Sequence, residues 1–310
     1  MSEAALITQE DAVKALHSAI EEAAGLLEVE YPRDTVLRIL NLYGGDLAQA
    51  VVAFRVSTGA ERAGELDCRF TVPQDVDPYE LAVGSGLLER TDHPVSRLLA
   101  DIREHCPVDG YGIDFGVVGG FKKIWVVLPR TALQGVAELA GIPSMPPGLG
   151  RSLDFIARHG LGDTVGLIGI DYRHRTVNIY MGEPPADGFA PESLRSMLRE
   201  IGQAEPTGQM LRLGREIFGL YVTLSWDNPA IERISFAVAT TDPSGLPVEL
   251  DDRIELFVRH VRRADPHTKF VYAVASQPDG EYYKLQAYYR WGSGVPEIMQ
   301  LPEGALADPV

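Results

Sequence analysis

Residues 119–127 read Gly-Gly-Phe-Lys-Lys-Ile-Trp-Val-Val, a pattern typical of a turn followed by a strand. The paired glycines are typical of a turn, because glycine adopts backbone conformations that strain other residues. The residues after the turn alternate as in a strand. Lys123 and Trp125 share one face of this predicted strand, whereas Lys122 and Ile124 share the opposite face. One face therefore carries a cation beside a large aromatic ring.

The same arrangement recurs along the chain as five predicted hairpins. Their turns lie near residues 61, 119, 173, 227 and 279, at a nearly constant spacing of roughly 55 residues. Helical periodicity precedes each hairpin, which indicates five units of two helices and two strands with little residue identity between them. The predicted strands are 51–57 and 65–72, 111–117 and 121–128, 165–170 and 175–181, 218–226 and 231–238, and 270–277 and 282–291. The main predicted helices are 11–27, 33–43, 94–105, 131–140, 153–159, 191–201, 209–217 and 251–263.

Apolar side chains occupy one face of these strands and polar side chains the other. In residues 65–72, for example, Leu66 and Cys68 alternate with Asp67 and Arg69. The apolar faces require the helices as cover, and no helix is left for the polar faces. A closed ten-stranded antiparallel barrel with helices outside satisfies both faces and removes the sheet edges. We therefore predict an α/β fold of five ααββ units around a solvent-filled lumen; the alternative is an open sheet with a solvated polar face.

Composition excludes several classes of protein. The 310 residues are 45% hydrophobic and 23% charged, and the formal charge is -16, which argues against nucleic acid and anionic membrane surfaces as partners. Cys68 and Cys106 lack metal-ligand spacing, so we expect free core thiols in a reducing cytosol. No apolar run reaches membrane-spanning length, and residues 1–9 do not resemble a signal peptide. We expect a cytoplasmic monomer with one domain over residues 1–301 and a flexible tail at 302–310.

Cations occur about once per unit on the polar faces, mostly early in the second strand of a hairpin. Equivalent positions in successive hairpins lie at similar heights around a barrel, so these cations should form a ring near one end of the lumen. Such a cluster repels itself unless an anion fills it, and diphosphate is a suitable multivalent anion. The predicted ring consists of Arg55, Arg69, Lys123, His174, Arg233 and Lys284.

Polar groups interleave with the ring, and aromatic groups lie deeper on the same faces. The polar groups are good donors to phosphate oxygens, and aromatic faces stabilise an allylic cation. The chamber therefore fits an allylic diphosphate, although the deeper residues could instead be ordinary barrel lining. The polar set is Thr176, Asn178, Tyr221 and Ser225, and the deeper set is Trp125, Tyr180, Phe218, Ala237, Gln286 and Tyr288.

Four segments carry a resemblance to a known family: residues 65–67 (Glu-Leu-Asp), 119–123 (Gly-Gly-Phe-Lys-Lys), 142–147 (Ile-Pro-Ser-Met-Pro-Pro) and 281–285 (Glu-Tyr-Tyr-Lys-Leu). They resemble the bacterial soluble aromatic prenyltransferases of the ABBA fold, or prenyltransferase barrel. The resemblance covers nearly the whole chain and is greatest to the dihydroxynaphthalene and phenazine prenyltransferases. It implies transfer of a dimethylallyl or geranyl group from its diphosphate to a carbon of a small aromatic acceptor, such as flaviolin, in secondary metabolism.

The resemblance also implies roles by position. The implied diphosphate binders are Lys123, Asn178, Tyr221, Arg233 and Lys284, to which the ring argument adds Arg55, Arg69 and Thr176. Gly166, Phe218, Gly219 and Tyr288 are expected to line the aromatic pocket, to which the strand faces add Gln286, and Trp125 and Tyr180 are expected to flank the isoprenoid. We expect Lys123, Arg233, Lys284 and Tyr221 to be the catalytic residues, because they stabilise the departing diphosphate.

Asp67 corresponds to an aspartate that holds magnesium in metal-dependent members of this family. Arg55 and Arg69 each replace a small hydroxyl residue, and Arg69 faces the same side as Asp67. A divalent ion at Asp67 would be repelled by that guanidinium. We therefore expect no cofactor and an Asp67–Arg69 ion pair; the alternative is that Asp67 still binds magnesium. Dimethylallyl diphosphate is expected to be preferred over geranyl diphosphate, because Trp125 and Arg55 are bulkier than their counterparts in geranyl-using relatives.

Other functions fit the sequence less well. Residues 251–255 (Asp-Asp-Arg-Ile-Glu) resemble the acid-rich motif of helical prenyl synthases, but they open an amphipathic helix, where acids cap the helix and favour its dipole. A phosphatase or kinase would require a metal cage or a nucleophile, and neither is legible. A non-catalytic carrier barrel for an aromatic metabolite is the remaining alternative, although a carrier does not need a cation ring beside its apolar chamber.

Overall fold

The computed structural model describes residues 8–59, 65–182, 188–262 and 269–290, which form one sheet surrounded by helices. The helices are α1 (Gln9–Leu26), α2 (Arg33–Leu42), α3 (Pro78–Gly84), α4 (Val95–His105), α5 (Val136–Ala140), α6 (Gly148–Arg151), α7 (Leu153–Arg158), α8 (Pro191–Glu200), α9 (Gly208–Leu213) and α10 (Asp252–His260). The strands are β1 (Val52–Ser57), β2 (Leu66–Pro73), β3 (Gly110–Gly116), β4 (Gly120–Val127), β5 (Gln134–Gly135), β6 (Thr164–Asp171), β7 (Thr176–Met181), β8 (Gly219–Ser225), β9 (Arg233–Thr240), β10 (Phe270–Gln277) and β11 (Gly280–Arg290). The predicted tail at 302–310 lies outside the described residues.

Ten of the strands close into a barrel. The neighbours run β4-β3-β2-β1-β11-β10-β9-β8-β7-β6, and β6 pairs with β4 to complete the ring. Each neighbouring pair is antiparallel. The two-residue β5 pairs with the start of β6. The predicted ten-stranded barrel with outer helices is therefore confirmed, and the open-sheet alternative is wrong.

The main apolar core lies between the barrel and the helices. The outward faces of the strands supply Phe54, Phe70 and Phe115, and the helices supply residues such as Leu16 and Leu98 to the same cluster. Fully burying one such side chain stabilises the fold by about 1.5–3 kcal/mol. Because the helices cover the apolar faces from outside, the polar faces of the strands turn inward.

The acidic stretch at 251–255 caps a helix, as its pattern predicts. The Asp251 carboxylate accepts a hydrogen bond from the backbone N–H of Arg253 at 3.0 Å. Asp252 and Glu255 lie in the first turn of α10. Negative charge at this end of a helix is favoured by the helix dipole, so a metal-binding role is not needed to explain these acids.

Two predicted helices are shorter in the structure. Residues 131–140 contain β5 and the short α5, because Gln134 and Gly135 pair with β6 and sheet pairing overrides the helical periodicity. The helix predicted at 209–217 ends at Leu213. It passes into a 3-10 turn at Gly214, whose backbone lies so close to Phe189 that a side chain would not fit.

The cysteines behave as predicted. Cys68 and Cys106 are buried and unpaired. Burial raises the pKa of both thiols, so neither is a reactive thiolate.

The prediction that no segment spans a membrane can be compared with the helices of the structure. In residues 8–59, 65–182, 188–262 and 269–290, no helix is both long enough and apolar enough to cross a bilayer.

Phe236 provides a test of the outer core. Its ring is 1% exposed and packs edge-on against Phe189, with ring centroids 5.8 Å apart. We expect Phe236→Ala to lower the free energy of unfolding by about 3–5 kcal/mol, because it leaves a cavity between barrel and helices. Urea denaturation followed by circular dichroism measures the change. Val118→Ala at an exposed turn position is the control, with an expected change of about 0.5 kcal/mol or less, and an equal loss in both variants would contradict this packing.

Candidate active site

Three buried carboxylates lie among the cations at one end of the lumen. They are Asp67, Asp114 and Asp171, with exposures of 4%, 0% and 3%. Only Asp67 was predicted from the sequence; Asp114 and Asp171 were not. Asp114 and Asp171 lie directly opposite Lys123 on its two neighbouring strands, so all three occupy the inward face. Both could have been predicted from the alternation of inward and outward side chains along each strand.

Asp67 is held by two cations. Arg55 donates from Nε to Asp67 Oδ2 at 3.1 Å and also from a terminal nitrogen. Lys122 Nζ lies 3.0 Å from Asp67 Oδ1. The predicted Asp67–Arg69 ion pair is wrong, because Arg69 lies opposite Asp114 in the β2–β3 register and pairs with it instead.

Lys122 reaches the lumen because β4 contains a bulge. Asp114 pairs with Lys123 and Phe115 pairs with Phe121, so Lys122 is an extra residue without a cross-strand partner. A bulge re-aims the side chain of its extra residue, and the Lys122 ammonium lies beside Asp67 on the inner face. The prediction that Lys122 shares the outer face with Ile124 is therefore wrong.

Asp114 joins two arginines and the indole. Its carboxylate lies 3.0 Å from Arg69 Nη2 and 3.2 Å from Arg55 Nη1. It also accepts a hydrogen bond from Trp125 Nε1 at 3.3 Å. Burial favours the neutral acid, but Arg55 and Arg69 outweigh burial and hold the pKa of Asp114 well below its usual range. The ionised carboxylate therefore fixes all three side chains.

Asp171 binds both Lys123 and His174, which lies in the turn before β7. Lys123 Nζ lies 3.0 Å from Asp171 Oδ2, and the backbone N–H of His174 donates to Oδ1 at 2.8 Å. Burial opposes ionisation of Asp171, but Lys123 and His174 hold its pKa well below the usual range. Burial lowers the pKa of Lys123, and Asp171 and Asp114 counteract that shift.

The prediction that His174 belongs to the lumen ring is wrong. Its side chain is 57% exposed and contacts Asp171 from the turn before β7. Arg175 in the same turn has a positive φ of 53°, and the strand begins only at Thr176. Alternation counted back from β7 therefore does not apply to His174.

The adjoining wall of the lumen, formed by β8 to β11, carries cations that bind hydroxyl groups. Arg233 Nη2 donates to Thr223 Oγ1 at 3.1 Å, and Thr223 donates to Asn178 Oδ1 at 2.9 Å. Lys284 Nζ donates to Tyr221 Oη at 2.7 Å. In the described part of the chain, neither Arg233 nor Lys284 forms an ion pair with a carboxylate.

The two walls therefore differ in charge balance. Four cations on β1, β2 and β4 share the three carboxylates, namely Arg55, Arg69, Lys122 and Lys123. On the other wall, Lys284 faces the ring of Tyr282, with Nζ 4.8 Å from the ring centroid. Half-buried cations without a counter-charge favour an anion nearby. The positive potential of the lumen is thus concentrated at Arg233 and Lys284.

Tyr221 responds to these two charges. Burial disfavours its phenolate, but Lys284 and Arg233 outweigh burial and lower the pKa of Tyr221 to about 7. Tyr180 stacks on Tyr221 with ring centroids 4.3 Å apart, and burial raises the pKa of Tyr180. One of these two stacked phenols is therefore ionisable near neutral pH and the other is not.

The indole of Trp125 is confined on several sides. Gly112 and Gly169 lie opposite it on the neighbouring strands, and a side-chain carbon at Gly169 would lie 2.9 Å from the ring. The Arg69 guanidinium lies 3.9 Å from the ring centroid, and the Tyr180 ring packs against the indole at 5.0 Å. The sequence analysis missed both glycines, because their role depends on the cross-strand register.

An apolar cluster lies further along the lumen. Tyr288 packs there with Val51, Ala53 and Val271, separately from the outer core. Tyr288 is four residues beyond Lys284 on β11, which corresponds to about 13 Å along the strand. The lumen therefore changes from cationic to apolar along its axis, as the sequence pattern predicts.

The remaining predicted residues are distributed along the strands. Thr176 lies opposite Ser225, Gln286 opposite Arg55 and Gly219 opposite Ala237, while Phe218 directly precedes β8. A side-chain carbon at Gly219 would meet no atom within 4 Å, so the lumen is open there. The carbonyl of Gly166 accepts the N–H of Leu128 at 3.0 Å, so Gly166 contributes to the β4–β6 closure.

Known proteins share this sequence closely. The family model "Aromatic prenyltransferase Orf2" matches residues 12–297. The 5,10-dihydrophenazine-1-carboxylate 9-dimethylallyltransferase of Streptomyces anulatus is 45% identical over 305 residues, which cover 98% of this chain and 100% of that enzyme. The flaviolin linalyltransferase of Streptomyces virginiae is 48% identical over 276 residues, which cover 89% of this chain and 92% of that enzyme.

The fold is also found among solved structures. The 5-dimethylallyltryptophan synthase of Streptomyces coelicolor aligns with a TM-score of 0.56 at 11% identity, over 93% of this chain and 99% of that one. At this identity the likeness supports the barrel alone. The family match and the two curated relatives support an enzyme and argue against the carrier barrel. The chain belongs to the aromatic prenyltransferase Orf2 family.

Proposed function

We propose that the protein transfers a dimethylallyl group from its diphosphate to a carbon of an electron-rich aromatic acceptor of the dihydroxynaphthalene, flaviolin or phenazine type. The observation that carries this proposal is the pair Arg233 and Lys284, which form no ion pair with any carboxylate of the described residues and share a lumen with Trp125 and Tyr180. The printed activities of the two curated relatives, on a dihydrophenazine carboxylate and on flaviolin, support the acceptor class.

In the proposed reaction, Arg233 and Lys284 bind the diphosphate directly. Lys123, Asn178, Thr176 and Tyr221 supply further donors on neighbouring strands. Donors held in place before the reaction stabilise the negative charge that develops on the leaving group. Arg55 and Arg69 are committed to Asp67 and Asp114, so they contribute positive potential to the site while keeping their carboxylate partners.

The aromatic rings of Trp125 and Tyr180 act on the prenyl group of the donor. When the carbon–oxygen bond of the donor breaks, the electron pair leaves with the diphosphate and an allylic cation remains. The faces of Trp125 and Tyr180 stabilise that cation and exclude water. A ring carbon of the acceptor then attacks the cation, and loss of the ring proton restores aromaticity.

The direct test of this function is product formation. The protein is incubated with dimethylallyl diphosphate and a panel of dihydroxynaphthalenes, flaviolin and phenazine carboxylic acids, and the products are analysed by mass spectrometry. We expect the mass of one acceptor to increase by one dimethylallyl group in place of a hydrogen. An unchanged panel with dimethylallyl diphosphate and with geranyl diphosphate would contradict the proposal.

Lys284→Ala tests the diphosphate site. We expect turnover to fall by about 10²–10³-fold with the fold intact, because one donor to the leaving group is removed. Steady-state kinetics measure turnover, and circular dichroism checks the fold. The matched control is Lys14→Ala on the exposed side of α1, which should keep wild-type turnover. Near-normal turnover in a folded Lys284→Ala variant would remove Lys284 from the site.

Donor length is tested by competition. Asp114, Arg69 and Gly169 confine the bulky indole of Trp125, so the prenyl chamber is expected to suit a dimethylallyl chain. With equal amounts of dimethylallyl and geranyl diphosphate, we expect mainly the dimethylallyl product in the mass spectrum. Trp125→Ala should raise the share of geranyl product. A mainly geranylated product from the wild type would refute the preference, and the relatives themselves include both a dimethylallyl and a linalyl transferase.

The residues around Asp67 do not fit the magnesium site of metal-dependent members. Both oxygens of Asp67 already bind Arg55 and Lys122. Among the residues described, no group of three His, Cys, Asp or Glu side chains is placed to hold a metal ion. We therefore propose that the reaction requires no magnesium, because the fixed cations take over its electrostatic role.

Magnesium dependence is tested by chelation. We expect equal turnover in excess EDTA and with added magnesium. Arg55→Ser frees one side of Asp67 and should lower turnover in EDTA, with partial recovery on adding magnesium. Loss of wild-type turnover in EDTA, restored specifically by magnesium, would show that Asp67 binds the metal.

A further inference from the structure

The phenol oxygen of Tyr221 has an unusual hydrogen-bonding environment. The residue is 7% exposed, and its oxygen lies 2.7 Å from the Lys284 ammonium. An ammonium group has three donors and no acceptor, so it can only donate to this oxygen. The Ser235 hydroxyl is a second hydrogen-bond partner of the phenol, and it can donate to the same oxygen. This arrangement suits a phenolate better than a neutral phenol.

The charges around Tyr221 point the same way. Lys284 on β11, Arg233 on β9 and Arg55 on β1 all act on it, and none of the described carboxylates contacts its oxygen. The stacked Tyr180 on β7 is neutral near pH 7, since burial raises its pKa. Arg55 pairs with Asp67 and Asp114, whereas no carboxylate in the part of the chain that the structure describes pairs with Lys284 or Arg233. A phenolate at Tyr221 would supply the missing counter-charge.

We propose that Tyr221 is the counter-anion of Lys284 and Arg233 in the donor-free enzyme, and that it takes up one proton from solvent when a diphosphate binds. This inference rests on the proposed function and adds a protonation step to it. A phenolate and a diphosphate on the same two cations repel each other, so binding of the second anion raises the proton affinity of the first. The solvent proton adds to the phenolate oxygen, and the resulting O–H donates to a diphosphate oxygen.

The pKa of Tyr221 places this proton exchange in an accessible range. At about 7 in the donor-free protein, the phenol is largely ionised at mildly alkaline pH. Its pKa rises when the diphosphate binds, so the bound complex favours the protonated form. Diphosphate affinity must therefore weaken as the pH rises above about 7, because each binding event then requires one proton.

Tyrosinate absorption tests the inference directly. Phenolate absorbs at longer ultraviolet wavelength than phenol, so inorganic diphosphate is titrated into the protein about one pH unit above the pKa of Tyr221. We expect the wild type to lose absorption equivalent to about one tyrosinate per chain. Tyr221→Phe should show no loss. Tyr272→Phe is the matched control, because this buried outer-core phenol has a raised pKa and no hydrogen-bond partner, and the variant should behave as wild type.

The pH dependence of binding provides a second readout. The dissociation constant for inorganic diphosphate is measured for wild type and Tyr221→Phe across the neutral to alkaline range. Taking the ratio of the two constants cancels the titration of the diphosphate itself and of Lys123. We expect the wild-type to Tyr221→Phe ratio to rise about tenfold per pH unit above the pKa of Tyr221 and to be flat below it.

The outcomes separate this inference from the proposed function. Diphosphate binding without loss of tyrosinate absorption, or with a flat ratio at all pH values, would overturn the proton uptake and leave prenyl transfer standing. Absence of diphosphate binding would also overturn it. Product formation by mass spectrometry tests the proposed function independently of both measurements.

Discussion

The Asp114 carboxylate is the interaction on which this site depends. It is fully buried, forms ion pairs with Arg55 and Arg69, and accepts a hydrogen bond from the indole N–H of Trp125. Removing one partner of a buried ion pair commonly costs about 3–5 kcal/mol, because the remaining charge is left without compensation. Two cations and the aromatic wall are therefore positioned by a single anion. Asp67 and Asp171 extend the same arrangement to Lys122 and Lys123.

This pairing makes the lumen asymmetric. On one wall, three carboxylates offset most of the charge of four cations and hold them beside the indole. On the other wall, Arg233 and Lys284 have hydroxyl partners and keep an unbalanced charge. We therefore propose that the diphosphate of the donor binds Arg233 and Lys284, with its prenyl group beside Trp125 and Tyr180. The two walls adjoin through the β1–β11 pairing, and the β4–β6 pairing closes the ring, so both sets of cations line one lumen.

Face alternation was enough to predict the barrel and its polar interior. It placed Arg55, Lys123 and Lys284 correctly on the inward face, because regular strands preserve a period of two. It failed at Lys122, where a bulge adds one residue to β4, and at His174, which lies in a turn. Neither irregularity has a signature in the alternation itself.

Ion-pair partners were harder to predict than faces. Residues two apart on a strand lie about 6.6 Å apart, whereas neighbouring strands lie about 4.8 Å apart, so cross-strand partners are closer. Arg69 therefore pairs with Asp114 on β3 and not with Asp67 on its own strand. The glycines beside Trp125 were missed for the same reason, since cross-strand contacts require the register. The roles assigned to the site residues in binding and catalysis stay predictions.

The central claim is that the donor's diphosphate binds the unbalanced wall while the carboxylate-paired cations keep their partners. A crystal structure of the protein with an unreactive sulfur analogue of dimethylallyl diphosphate, grown with magnesium present, tests this claim most directly. We expect diphosphate oxygens on Arg233 and Lys284, with the Asp67–Arg55 and Asp114–Arg69 pairs intact. A diphosphate bound instead to Arg55 and Arg69 with those pairs broken, or a magnesium ion on Asp67, would contradict it.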